Sequence, residues 1–231
     1  MIDFVKARKK FIRATKRYNN KEWNDFSNNS FFQMGPPLSN LHLKNCRVLE
    51  SREKLLEYLP KDSVVAEVGT LYGDFAEKIL FITKPKKFHI IDINLSPFKK
   101  KLSLEERKSI WEKIKDNTIE LHQGDSPRIL EGFPDHYFDW IYIDGDHSYE
   151  GVRRDINKGH TKVKEDGLMV FNDYTLWSVA ELKPYGIPRA VNEFCTANDW
   201  EIIYFALDSY LGYHDVAIRR TKTTGQLSTK F

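Results

Sequence analysis

The sequence predicts an α/β fold, a Rossmann-like, doubly wound and mostly parallel sheet preceded by an N-terminal helical segment. Three observations carry this expectation. From residue 62 onward, apolar runs of strand length alternate with helical stretches. Those runs are continuously apolar rather than alternating, which is the pattern of strands covered on both faces. Finally, polar residues gather just after the strands, where open α/β sheets bind their ligands.

The elements follow in order. Val64 to Val68 reads as a strand and Asp74 to Ile82 as a helix. Phe88 to Ile93 is a strand, and Leu104 to Lys115 a helix with Ser103 as N-cap and Glu106 completing a capping box. A short strand, Ile119 to His122, precedes a short helix, Pro127 to Leu130. Trp140 to Ile143 is a strand, Tyr149 to Val163 a helix, Leu168 to Phe171 a strand and Arg189 to Ala197 a helix. Glu201 to Leu207 and Gly212 to Ile218 close the chain as an antiparallel pair. Upstream, Arg52 to Leu59 is a short helix stopped by Pro60. The domain plan is an N-terminal extension over 1–61, serving as a lid or a homodimer contact, a ligand-binding domain over 62–220, and a flexible tail over 221–231.

Composition narrows the function classes. At 231 residues, 41% of them hydrophobic, the chain has material for one full-sized domain with an added segment. No apolar run approaches the roughly 20 residues of a membrane span, so no membrane association is expected. The first residues are charged and lack the apolar stretch of a signal peptide, and Cys46 and Cys195 have neither disulfide-framework nor metal-type spacing. A cytoplasmic location is the expectation. The net charge of +3 does not argue for nucleic acid. Basic residues do concentrate between Lys6 and Lys21, with Phe4, Val5, Phe11 and Ile12 at helical spacing. That pattern reads as an amphipathic helix with a basic outer face, and no RNA-binding motif accompanies it.

The first chemical signature is Glu67-x-Gly69-x-x-x-Gly73, with Thr70 inside the turn. Glycines between a strand and a helix permit close approach of a ligand to the backbone and to free N–H groups. The spacing is not the G-x-G-x-x-G of a pyrophosphate site, and no Gly-Lys-Ser/Thr follows to make a P-loop. Asp92, ending the next strand, has the chemistry to accept hydrogen bonds from ribose hydroxyls. Asp125, followed by Ser126, is placed to take an adenine amino group. The second signature is the crowd of Asp144, Asp146, His147, Tyr149 and Glu150 after a buried strand, joined by Asn172, Asp173 and Tyr174 after the next. His147 suits a general base, and oxygen ligands from two neighbouring strand ends suit Mg²⁺. Asp146 and Ser148 have a plainer reading as caps of the following helix. Tyr174, Trp177 and Lys183 lie in a stretch expected to roof the acceptor pocket, with Trp23, Phe26, Phe31, Phe32 and Met34 closing the other side. Lys183 and the basic N-terminus lean toward an anionic acceptor.

Taken in order, the Glu67–Gly73 turn, Asp92, Gly124-Asp125-Ser126 and the Asp144 segment resemble the motifs of class I S-adenosylmethionine-dependent methyltransferases. The resemblance spans about residues 62 to 220 and implies a seven-stranded sheet with an antiparallel last strand. It places Glu67 at the cofactor's amino group, the Gly69–Thr70–Gly73 turn along its methionine part, Asp92 at the ribose, and Asp125 with Ser126 around the adenine. The segments Ile143 to Val152 and Phe171 to Tyr174 are similar to the macrocin-type sugar and natural-product O-methyltransferases. That likeness implies Asp144, Asn172 and Asp173 as ligands of a divalent metal, with Asp144 and His147 catalytic; relatives often carry His or Asp where this chain has Asn172. The implied enzyme methylates a hydroxyl of a small-molecule acceptor. N-methylation, an NAD-linked oxidoreductase on the same architecture, and a nucleic-acid-binding module that retains a cofactor pocket remain the alternatives.

Overall fold

The computed structural model describes Lys9 and residues 35–102, 107–207 and 212–221. Among them the elements run α1 (Asn40–Leu43), β1 (Arg47–Leu49), α2 (Arg52–Tyr58), β2 (Val64–Val68), α3 (Asp74–Thr83), β3 (Lys87–Asp92), α4 (Ser96–Leu102), α5 (Lys108–Lys115) and β4 (Ile119–Gln123). There follow α6 (Ser126–Glu131), β5 (Phe138–Ile143), α7 (Tyr149–Lys162), β6 (Val163–Phe171), β7 (Trp177–Ser178), β8 (Lys183–Pro184), α8 (Ile187–Ala197), β9 (Trp200–Leu207) and β10 (His214–Arg220). The expected basic helix and the aromatic residues 23–34 lie outside the described residues, as do the Ser103 cap and nearly all of the tail.

The main sheet has the order β1-β9-β10-β6-β5-β2-β3-β4. β10 runs antiparallel between β9 and β6, while β4, β3, β2, β5 and β6 pair in parallel. The order reverses between β2 and β5, which puts their carboxyl ends at the switch point where such sheets bind ligands. Alternate strand residues feed two cores. Ala66, Val68, Ile141 and Ile143 pack against α7 and α8 through Val152, Ile156, Val191 and Phe194. Val65, Trp140 and Tyr142 pack toward the opposite side with Leu55, Leu56, Ile79, Leu80 and Phe98. Burial on both faces is why these strands read as unbroken apolar runs.

Two departures from the sequence expectation bear on the site. Among the described residues the sheet has eight strands, because β1 joins its edge in parallel with β9, pairing Arg47 to Leu49 with Tyr204 to Ala206. β1 is three residues long and buries only Leu49, too little for a periodic signal. Hence the described part of the N-terminal extension is not a separate unit: α2 inserts Leu55 and Leu56 fully into the second core. Of the expected helix from Leu104, the described part is Lys108–Lys115, and residues 104–106 lie outside the described residues. Arg107, just before it, is buried and turns back onto α3, donating to the Gly73 carbonyl at 3.1 Å and to Glu77 at 2.8 Å.

Truncating Leu55 to Ala removes a fully buried side chain and is expected to cost about 2–5 kcal/mol. Thermal unfolding should fall by roughly 5–15 °C. A fall under about 2 °C would mean that α2 adds little to the fold.

Candidate active site

The turn after β2 is held by its backbone. Gly69 (φ +85°) donates from its N–H to the Ile91 carbonyl at 2.8 Å, and Gly73 (φ +77°) caps α3. A Cβ on Gly69 would overlap the carbonyl of Asp144, and one on Gly73 the ring of Phe98, so both positions require glycine for space as well as conformation. Asp92 fixes the turn from the neighbouring strand. Its Oδ2 accepts from the backbone of Thr70 (2.8 Å) and Leu71 (3.1 Å), and its Oδ1 accepts from Asn94 (2.8 Å).

Beside this turn lies a cavity of about 590 Å³ walled by the ends of β2, β3, β4 and β5. That is within the range of small-molecule sites, roughly 300–1,000 Å³. Seven acidic residues line it: Glu67, Asp92, Asp125, Asp144, Asp146, Asp155 and Glu181, against one arginine, Arg154. Glu67 is fully buried, and burial pushes its carboxyl up to about 8. Neither Glu67 oxygen has a hydrogen-bond partner among the described residues, nor has the buried Thr70 hydroxyl beside it. Native structures leave few buried polar atoms unsatisfied. A ligand ammonium is the group that satisfies a buried carboxyl, and an amino-acid-bearing cofactor fits here.

The chemical end is built from β5, β6, β10 and α2. The Asp144 carboxylate faces His147 Nε2 at 3.4 Å and Arg52 at 3.6 Å. His147 Nε2 is buried without a hydrogen-bond partner among the described residues, and the imidazole packs on the Tyr185 ring at 4.6 Å. Burial opposes a charged imidazole, but the carboxylates of Asp144, Asp173 and Glu181 outweigh it and raise the His147 pKa above its ordinary value. Asp173 (φ +55°) is raised to about 7, first by burial and then by the like charges of Asp144 and Asp215. Beneath them runs a connected set of hydrogen bonds. Arg52 donates to the Tyr142 hydroxyl (2.6 Å), Tyr142 donates to Asp215, and the Asn172 amide also donates to Asp215 (3.1 Å).

The remaining sequence candidates are placed as follows. Asp125 lies at the rim and accepts both hydrogen bonds of Arg154, at 2.8 and 2.9 Å. Ser126 turns its hydroxyl inward to the buried Asp155 (2.6 Å), whose carboxyl burial raises to about 6. Asp146 and Ser148 do cap α7: Ser148 accepts from Gly151, and Asp146 accepts from the Ser148 backbone. Tyr174 donates to Asn192 (2.7 Å), and in the β7–β8 hairpin Trp177 pairs with Pro184 and Lys183 with Ser178; none of the three lines the cavity. Lys183 is paired with Glu181 at 2.5 Å, and Glu181 is the hairpin residue that reaches the cavity. With seven acids around it, the cavity does not favour the anionic acceptor expected from Lys183. The set Asp144, Asn172 and Asp173 fits a divalent ion poorly, because Asp144 already faces the Arg52 guanidinium at 3.6 Å and the His147 imidazole at 3.4 Å.

Sequence reasoning missed Arg52, Asp155, Glu181 and Asp215. Asp215 carried a usable signal, an acid beside the apolar run Val216-Ala217-Ile218 in a strand destined for the sheet centre. Arg52 and Glu181 sit in segments whose patterns gave no reason to bring them here.

Residues 66–174 match the family described as a methyltransferase domain. No curated protein matches the sequence. The fold matches ribosomal protein L11 methylase from Lactobacillus delbrueckii subsp. bulgaricus at 19% identity, TM-score 0.52, over 74% of this chain and 77% of the other. It matches TrmK from M. capricolum, solved with the cofactor product S-adenosylhomocysteine, at 15% identity, TM-score 0.54, over 79% and 74%. A tRNA methyltransferase from B. subtilis matches at 15% identity, TM-score 0.53, over 75% and 67%. These likenesses establish a Rossmann-like methyltransferase fold, and the family match supports S-adenosylmethionine as the cofactor.

Glu67 makes ligand binding pH-dependent. With its carboxyl pushed up to about 8 by burial, it is protonated at pH 7 and must lose that proton to pair with an ammonium. Affinity for S-adenosylhomocysteine is therefore expected to rise about tenfold per pH unit from 6 to 7.5, with net proton release. Calorimetry in buffers of different ionisation enthalpy measures both, and Glu67→Gln should remove the pH slope. A flat profile in the parent chain would refute the pairing.

Proposed function

We propose that this protein is an S-adenosylmethionine-dependent O-methyltransferase acting on a neutral or cationic small molecule. The unpartnered, buried Glu67 carboxyl in an acidic cavity carries the reading. At neutral pH the cofactor bears an ammonium, a sulfonium and one carboxylate, a net positive charge suited to acidic walls. A nicotinamide dinucleotide carries a pyrophosphate, which the same walls repel. A polyanionic nucleic-acid acceptor meets the same objection.

The bound cofactor supplies an electrophilic methyl group on a sulfonium. The chain's own residues then have three tasks. Glu67 and the Gly69–Gly73 turn hold the amino-acid part, while Asp92 keeps the turn in shape and faces the ribose. Asp125, Ser126 and the neighbouring Asp155 border the adenine end. His147 takes the acceptor hydroxyl proton, and Asp144, 3.4 Å from its Nε2, stabilises the imidazolium that forms. Arg52 and the Tyr142–Asp215–Asn172 hydrogen bonds keep Asp144 oriented. Burying the base beside the reacting group excludes water and fixes geometry, the main sources of rate in an in-line displacement.

A screen of metabolite extracts with labelled cofactor, followed by mass identification of the product, tests the reaction class. Asp144→Asn is expected to lower kcat by at least about 100-fold while leaving S-adenosylhomocysteine affinity within a few fold. Unchanged turnover would remove Asp144 from the mechanism. kcat/KM should rise with pH through an apparent pKa above the ordinary histidine value, because the raised His147 must be neutral to act. That limb belongs to the cluster of His147, Asp144 and Asp173 as a unit. Since the Arg52 guanidinium already stands 3.6 Å from Asp144 and 3.5 Å from Asp215, chelation should leave turnover intact. Loss restored by Mg²⁺ would instead establish the Asp144, Asn172 and Asp173 ligand set.

A further inference from the structure

At the opposite edge of the sheet from β1, β3 and β4 bring three ligand-type side chains together. His89 sits on β3, and Glu120 and His122 sit two residues apart on β4, hence on one face. His89 Nδ1 lies 2.9 Å from His122 Nε2 and 3.4 Å from Glu120 Oε2, and His122 Nε2 lies 3.8 Å from the same oxygen. Among the described residues this is the one group of three His, Cys, Asp or Glu side chains whose ligand atoms all fall within 4.8 Å of one another. Ligands of a tetrahedral Zn²⁺, bound at about 2.0–2.1 Å, stand about 3.3 Å apart, in the middle of the observed spread.

The surroundings orient these atoms. The Tyr137 hydroxyl lies 3.2 Å from His89 Nε2 and can accept its N–H, leaving the Nδ1 lone pair directed at the cluster. A polar partner on the outer nitrogen is the usual companion of a metal-bound imidazole. Lys87 pairs with the other Glu120 oxygen, Oε1, and so holds Oε2 toward the histidines. Phe133 and Phe138 pack edge-on against the His89 ring, at 4.8 and 5.6 Å, and wall the site on its inner side. His89 is 2% exposed, but Glu120 and His122 are part-exposed, which gives an ion access from solvent and water a fourth position.

We propose that His89, Glu120 and His122 form a binding site for one Zn²⁺-type transition-metal ion, separate from the cofactor cavity. Two imidazoles and one carboxylate select zinc or cobalt over magnesium. Bound there, the ion ties the edge strand β4 to β3, the two strands that end at Asp92 and Gly124–Asp125 in the cavity wall.

The test titrates the metal-free full chain with Zn²⁺ and with Co²⁺. One ion per chain, submicromolar affinity, the intense visible absorption of four-coordinate Co²⁺ and a raised unfolding temperature are expected. His122→Ala and Glu120→Gln, at part-exposed positions that should still fold, should each weaken binding by at least about tenfold. Circular dichroism and S-adenosylhomocysteine binding of these variants check the fold. Asp144→Asn should leave the ion's affinity unchanged, and excess Mg²⁺ should not displace it. Binding that is only millimolar, that persists in His122→Ala, or that is lost in Asp144→Asn would overturn the proposal.

Discussion

The structure turns on one close approach, the backbone of Gly69 against the carbonyl of Asp144. β2 and β5 are neighbours in parallel register, Val68 opposite Ile143, so the loops leaving them depart side by side. One hydrogen bond fastens the pair, Asp144 N–H to the Val68 carbonyl at 2.7 Å, and Gly69 N–H to the Ile91 carbonyl at 2.8 Å ties the turn to β3 on its other side. Only a residue without Cβ fits between them. The cofactor turn and the reacting carboxylate are therefore set at a fixed separation by main-chain geometry, ahead of any side-chain choice.

That proximity creates an electrostatic problem, which the N-terminal segment answers. Asp144, Asp173 and the buried Asp215 gather at three strand ends, and burial, then the like charge of Asp144, raises the latter two carboxyls. Arg52 comes from α2, held in place by Leu55 and Leu56, and stands 3.6 Å from Asp144 and 3.5 Å from Asp215. Its guanidinium also lies 3.8 Å above the Phe75 ring, a favourable position for a delocalised cation. Docking of α2 is thus more than an addition to the core, because it delivers the positive charge that lets the acidic residues coexist. Removing one partner from such a set leaves the others buried and uncompensated.

These features differ in how legible they were. The order of strands and helices from residue 62 was readable because two-sided burial writes itself as unbroken apolar runs. Gly69, Asp92 and Asp144 were readable because each follows a strand directly, and position after a strand fixes position in the sheet. Arg52 was not, since its role depends on where a short helix docks, and β1 is too brief to announce the edge it joins. Lys183 misled for a related reason. Its charge was visible but its partner Glu181, two residues away, was not weighed, and the pair cancels the attraction that an isolated lysine offers. Paired charges are a property of the fold, whereas a charge count is a property of the chain.

Glu67 shows how far this site is organised for a ligand rather than for stability. Placing a carboxyl at full burial with no partner among the described residues costs free energy, and protonation relieves it. A core built for stability alone would carry Leu or Val there, as its neighbours Val65 and Val68 do. The surrounding strands hold the carboxyl in place: Glu67 pairs in register with Ile90 on one side and Tyr142 on the other. Because the sheet supports the penalty in the free protein, a ligand that supplies the missing positive charge relieves it on binding. The same logic explains why the polar residues of this molecule concentrate at one end of an otherwise apolar sheet, where a bound group completes what the chain leaves unpaired.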